Sequence, residues 1–474
     1  MIKNVFKIAF KMTILLVAAF VMMAYLSPVF RKDESSSASQ LKKLPENSVD
    51  ILVLGSSHAQ YSINPGVIYH DTGYYSFVMG SGCQPMIMSY YNLVEALKTQ
   101  KPEVVLLDVF TMLPAQAICY ADGMFYVAAS QMSGDTRIEA IKNIDNTEKI
   151  SEYLYDFGIT HDRWKEDNFL INQGLDGMMG YVGQQPSDFV FHHLVQLERS
   201  DAKVELKKKD VKALNDIIEL CEINNIELIL MKAAFDADQK NIDALHAVWD
   251  VAEEKGIRVL DFIALAEEIG FTLGMDGDTW HNNTWGARKT SKYVAQYLME
   301  NDLVKSHQKL DEMEQVYQRL DDWTAMRVFQ DNIDIYQVME LAKEYDVSMI
   351  IKYTGTEGYS SFGEYESSTL QQLGANFDFV EQKHEDYYAL IQQGKVVKDG
   401  NLPFEIEVNG HHVSVSSENI QVDDMIFSEL GELEIIFSSN DYSWFHEVPI
   451  DYASRYFWRN ECNAWACSFH QKNE

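Results

Sequence analysis

The segment Asp50–Ser62, DILVLGSSHAQYS, places two adjacent serines directly after a run of four aliphatic residues, Ile51 to Leu54. Far downstream lies Asp278-Thr279-Trp280-His281. A serine hydroxyl is a poor nucleophile until a base takes its proton, and an imidazole is the usual base. A carboxylate three residues away on a turn or helix start can hydrogen-bond that imidazole, fix its tautomer and stabilise the imidazolium. Gly80-Ser81-Gly82 adds a glycine loop whose backbone N–H groups can hold an oxyanion. Together these residue types form a complete set for acyl transfer. Singly, each has a plainer meaning. Gly-Ser-Ser after a buried strand is an ordinary βα loop, Asp-x-x-His is a solvated turn, and Gly80-Ser81-Gly82 carries no phosphate-loop signature.

The elements around these residues give the set its order. Short apolar runs at Ile51–Leu54, Tyr74–Val78, Val104–Asp108, Ile226–Met231 and Ile257–Asp261 alternate with amphipathic stretches such as MSYYNLVEALKTQ and DVKALNDIIELCEINN. Continuous apolar strands alternating with helices predict an α/β domain with a parallel sheet buried on both faces. Ligands of such sheets bind outside the carboxyl ends of the strands. The loops bearing Ser56-Ser57, Gly80 to Gly82, Asp108 and GMDGDTWHNNTWGARKTSKYVAQYL are therefore expected on one edge. His58, next in sequence to the serine, is expected to point elsewhere, and Asp108 reads as a cap or a structural acid. The aromatic-rich stretch 114–201 reads as a helical insertion, in which His161, Arg163 and Trp164 are expected to pack or pair.

On VLGSSH and DTWHNNTWGARKTSKYVAQYL the chain resembles the SGNH/GDSL hydrolase superfamily, in particular its membrane-anchored branch in Gram-positive bacteria. The matching positions are Gly55 and Ser57, then Asp278, His281, Asn283 and Gly286. GSGCQPMIMSYYNLVEALKTQKPEVVLLD and HDRWKEDNF are similar to that branch as well. The resemblance spans residues 49–301 and implies a three-layer α/β/α fold of flavodoxin-like type, hydrolysis or transfer of O-acyl groups, and no cofactor or metal. It selects Ser57 over Ser56 as nucleophile, with His281 as base and Asp278 as its partner. The oxyanion donors would be the N–H of Ser57 and those of Gly80 and Gly82. It also implies a cell-surface glycan or acyl-ester substrate, with acyl groups supplied by a membrane-bound O-acyltransferase. One feature departs from the superfamily. Many members carry an Asn after the third strand that completes the oxyanion hole, whereas this chain reads LLDVFTML there. The rival reading that this departure opens is an inactive surface scaffold or glycan-binding protein.

The flanking regions set the context. Lys3, Lys7 and Lys11 precede the uncharged stretch Met12–Phe30. About 20 apolar residues cross a bilayer, so residues 5–30 are read as an anchor with the N-terminus in the cytoplasm; a cleaved signal peptide is the alternative. Residues 31–48 are polar and Ser-rich and read as a flexible stalk. Asp and Glu (72) outnumber Lys and Arg (39) for a formal charge of -33, which repels phosphate backbones and argues against nucleic-acid binding. Of five cysteines, none forms a C-x-x-C, and Cys462 and Cys467 are close enough to pair outside the cell. Residues 302–345 show helical spacing (Leu310, Met313, Val316, Leu320, Trp323) and read as a connector. From 346 to 474 the texture is β-rich, with a hairpin signal at Asn409-Gly410. Within it, Leu370–Gly400 resembles the interleukin-like EMT inducer domain, which implies a binding module.

Overall fold

The computed structural model describes residues 2–31, 36–115, 122–144, 147–165, 178–184, 194–330, 341–345, 347–355, 364–427, 433–450 and 468–471. The chain divides into two compact units, Met1–Asp321 and Asp322–Glu474.

The first unit begins with the apolar helix α1 (Ile2–Arg31), followed by α2 (Ser37–Leu41). Strand β1 (Ile51–Gly55) runs into α3 (Ser57–Ser62) and α4 (Pro65–Thr72); β2 (Ser76–Gly80) leads to α5 (Met86–Ala96), and β3 (Val104–Asp108) follows. Helices α6 (Asp122–Ser130), α7 (Gly134–Lys142), α8 (Ile150–Leu154) and α9 (Phe157–Thr160) belong to the insertion. The alternation resumes with α10 (Lys208–Asn224), β4 (Glu227–Lys232), α11 (Gln239–Lys255), β5 (Arg258–Asp261) and α12 (Thr284–Glu300).

The five strands form one parallel sheet in the order β2-β1-β3-β4-β5. Their composition explains why the sheet is internal. Ile51, Val53, Val104, Leu106, Ile229 and Met231 share one core cluster with Ala59 of α3, Ile63 at its end, Ile68 of α4, and Val294 and Leu298 of α12. Leu52, Leu54, Val105, Leu107 and Leu230 alternate onto the opposite face and are equally buried. The strand order reverses between β1 and β3, which opens a crevice at their carboxyl ends. Chemistry-bearing residues cluster at that crevice.

Two expectations needed revision. The second strand was expected at Tyr74–Val78 and runs Ser76–Gly80. Gly73 ends α4 in the left-handed conformation, and the Tyr75 N–H is taken by the Asp50 carboxylate, so pairing starts later and Gly80 comes opposite Gly55. The expected flexible stalk contains α2, capped by Ser36, with Ala38, Gln40 and Leu41 buried. Lys42 beyond it bonds the Glu95 carboxylate at 2.6 Å and ties the segment to α5.

Helix α13 (Asp311–Gln330) carries the apolar spacing read as a connector, and the division between units falls inside it. The second unit contains β6 (Ser348–Tyr353), α14 (Glu364–Gln372), β7 (Tyr387–Gln392), β8 (Lys395–Gly400), β9 (Phe404–Val408), β10 (His411–Val415), β11 (Ile420–Val422), β12 (Met425–Phe427), β13 (Leu433–Ser438), β14 (Trp444–Ile450) and β15 (Ser468–Gln471). They build a six-stranded sheet, β15-β14-β13-β6-β7-β8, and a four-stranded sheet, β12-β11-β10-β9. Asn409 and Gly410, both at positive φ, make the two-residue turn between β9 and β10 that the sequence predicted. Cys119, Cys462 and Cys467 lie outside the described residues.

Candidate active site

Ser57 opens α3 immediately after β1. Gly55 makes that turn possible: it sits at φ +146°, and a Cβ there would lie 2.9 Å from the Asp108 Cβ and 3.0 Å from the Ala59 Cβ. Ser56 is buried and caps α3 by accepting the His58 N–H at 3.2 Å. The neighbouring serines thus have separate places, one capping α3 and the other opening it.

His281 reaches this point from a loop built by its own motif. Asn283 caps α12, accepting the N–H groups of Trp285 and Gly286, and donates its side-chain amide to the Met275 carbonyl at 2.7 Å. Gly286 has no room for a side chain, since a Cβ would lie 2.0 Å from the Asp276 carbonyl oxygen. Gly277 is similarly crowded by the His281 carbonyl oxygen, at 2.5 Å. The resulting tight turn brings His281 Nε2 to 2.9 Å from Ser57 Oγ.

Asp278 sits in the same turn, but its carboxylate does not bond the imidazole in the way the spacing suggested. Oδ1 accepts the backbone N–H groups of Trp280 and His281 at 2.6 and 2.7 Å, and Oδ2 accepts the Gln184 amide at 3.0 Å. In a turn this short the main chain reaches the carboxylate first. Asp278 acts on the ring through charge. Burial works against its ionisation, but the donated N–H groups outweigh burial and hold its carboxyl below the usual carboxylate range. His281 falls below the ordinary imidazole value. Burial is the main cause, Asp278 partly offsets it, and the nearby Lys232 charge adds to it. The ring therefore stays neutral at neutral pH.

Gly80 lies against the turn that leads from β1 into α3. A Cβ on Gly80 would meet the Gln60 side chain at 2.8 Å and the Ser56 carbonyl oxygen at 3.0 Å, while the space about Gly82 is open. A buried network supports the loop: Ser81 Oγ and the Asn92 amide both donate to Gln84 Oε1, and Gln84 donates to Ser89. Cys83, next in the loop, is disulfide-bonded.

The sequence reading missed Lys232. It closes β4 fully buried, with Nζ 2.7 Å from the Ala233 carbonyl, 3.0 Å from His58 Nδ1 and 3.6 Å from Asp108 Oδ2. Phe110 and Phe235 flank the ammonium at 5.3 and 4.6 Å from their ring centres. Burial pushes Lys232 down to about 8, opposed by Asp108 and Asp261. Asp108 also accepts the N–H groups of Phe110 and Ala233, so it is both a cap and a counter-charge. The signal was available: EVVLLD and ELILMK end adjacent apolar strands in opposite charges. His58 joins this cluster through Nδ1, and its ring stacks on Phe110 at 3.8 Å. His161 bonds the nearby Gly158 carbonyl, Arg163 donates to the Arg31 carbonyl at the end of α1, and the exposed Trp164 ring takes the Lys165 ammonium at 5.8 Å.

No family model matches the chain, and no curated protein matches it. Among solved structures it is similar to a Bacteroides fragilis protein described as a "putative acylhydrolase". The two share 14% identity over 56% of this chain and 95% of the other, at a TM-score of 0.29.

Proposed function

We propose that the protein is a serine-dependent O-acyl esterase or acyltransferase. The observation that carries this reading is the 2.9 Å contact between Ser57 Oγ and His281 Nε2 at the carboxyl edge of a parallel sheet. His281 takes the hydroxyl proton while Ser57 Oγ bonds to the acyl carbonyl carbon. The carbonyl π pair moves onto oxygen, where N–H donors of Ser57 and the Gly80–Gly82 loop meet it. Collapse expels the alcohol, which takes the proton from His281. Water or a sugar hydroxyl then attacks the acyl-enzyme by the reverse sequence. Asp278 steadies the transient imidazolium through its charge.

On this reading the substrate is an acyl ester of acetyl type on surface polysaccharide, with acyl groups handed over by a membrane-bound O-acyltransferase. The domain lies outside the cytoplasm. Two features support that placement: α1 is apolar enough to cross a membrane over Val5–Arg31, and a disulfide engages Cys83.

The test is turnover of p-nitrophenyl acetate by the full-length chain in detergent, with fluorophosphonate labelling in parallel. The wild type turns over and labels at Ser57, and Ser57→Ala or His281→Ala lowers kcat at least 10³-fold, as in other nucleophile–base pairs. Unchanged turnover in both variants overturns the reading. An unlabelled, inactive wild type favours a binding scaffold instead.

A further inference from the structure

Phe110, two residues beyond the end of β3, is the floor on which the His58 ring lies. The ring is held on three sides. Phe110 stacks beneath it, Phe235 meets it edge-on at 5.4 Å between centres, and the Lys232 ammonium faces Nδ1 at 3.0 Å. The residue is only 2% exposed. The His281 ring stands 5.3 Å away between centres, and that ring touches Ser57 Oγ.

The clamp dictates a protonation state. An ammonium has donors and no acceptor, so a neutral imidazole facing it must present its bare nitrogen. His58 is kept neutral, well below the ordinary imidazole value, by burial first and then by the neighbouring Lys232 charge. With Nδ1 accepting from Lys232, the ring proton resides on Nε2. The two nitrogens of an imidazole point in diverging directions, so this N–H is turned away from Lys232. It meets no hydrogen-bond partner among the described residues. An unspent donor beside the reacting pair is the kind of group an oxyanion site requires.

We propose that His58 Nε2–H is an oxyanion donor and that Lys232 is the positioning residue that fixes it in this tautomer. As Ser57 Oγ bonds to the acyl carbon and the C=O π pair moves onto oxygen, His58 donates a hydrogen bond to that oxygen and keeps its proton. The proton that moves belongs to the Ser57–His281 pair. The pre-formed ring costs no reorganisation at the moment of attack. The inference rests on Ser57 being the nucleophile.

The test uses the full-length chain in detergent, p-nitrophenyl acetate turnover, Ser57 labelling and thermal unfolding. His58→Leu lowers kcat by about 10²–10³-fold with KM within about threefold, the loss expected for one oxyanion donor. His58→Gln, whose amide nitrogen reaches the Nε2 position, regains at least about tenfold over the leucine variant. His58→Asn, whose amide falls at the Nδ1 position, does not. Lys232→Met lowers kcat at least about tenfold, and adding it to His58→Leu costs less than threefold more, since the two act as a unit. A His58→Leu enzyme with wild-type kcat overturns the proposal while leaving the Ser57 reading intact. So does a glutamine variant no better than asparagine when both unfold at the wild-type temperature. A wild-type chain that neither turns over nor labels at Ser57 overturns the Ser57 reading and this one with it.

Discussion

At the scale of single residues, the proposed reaction rests on how three side chains share protons. His281 must be neutral to accept one from Ser57. Burial and Lys232 depress its affinity for a proton more than Asp278 raises it. The acid limb of kcat/KM reports the free enzyme's base. It is therefore expected to inflect below the ordinary imidazole value of about 6.5. Below that inflection the ring is charged and cannot act, so activity is lost as pH falls through it. Asp278→Asn removes the charge that favours the imidazolium, so the limb moves further to acid while kcat drops. A limb at or above about 6.5 in the wild type, or one that rises in the variant, contradicts this assignment. The chemistry-bearing types, Ser57, Asp278 and His281, were legible because order along the chain maps onto one sheet edge. The direction of the Asp278 carboxylate was not. Residue spacing does not tell whether the ring or the main-chain N–H reaches the carboxylate first.

At the scale of elements, glycines and caps aim the side chains. The turn carrying His281 closes because Asn283 caps α12 and because Gly286 admits the Asp276 carbonyl against its α-carbon. Gly286→Ala puts a methyl 2.0 Å from a backbone oxygen that no side-chain rotation can move. Overpacking of this kind costs about 1–3 kcal/mol and often more. The variant is expected to unfold earlier on thermal melting and to lose turnover. Gly82→Ala meets nothing within 4 Å and is expected to melt with the wild type. Equal melting of the two variants would show that the turn yields freely. The strands around this site were readable from their uninterrupted aliphatic runs. The start of β2 was not, because the Asp50 carboxylate takes the Tyr75 N–H, a contact between residues far apart in the chain. Lys232 escaped notice for a similar reason. A lysine closing an apolar strand reads as a solvated end until the neighbouring strand shows Asp108 beside it.

At the scale of the whole molecule, the apolar helix is built into the first unit rather than tethered to it. Asp156, fully buried between α8 and α9, takes Arg31 at 2.8 Å, Arg137 at 2.9 Å and the Tyr126 hydroxyl at 2.8 Å. Ser27 donates to the same carboxylate. Ring contacts of Phe20 with Tyr155 and of Phe30 with Phe157 continue the seam. Hydropathy alone marked residues 5–30 as a span, and nothing in the stretch itself announced that its last turn would be bound by the insertion. The consequence is a coupling between helix and domain. Asp156→Ala leaves two arginines facing a void in place of a counter-charge, and breaking a buried pair of this type costs about 3–5 kcal/mol. In detergent, the full-length variant is expected to melt earlier and to be cut by protease near Arg31 under conditions that spare the wild type. Asp156→Asn keeps the shape and the acceptor oxygen but not the charge, and is expected to fall between the two. A variant that melts and resists protease like the wild type would mean that the helix hangs free. The domain would then be indifferent to its apolar helix.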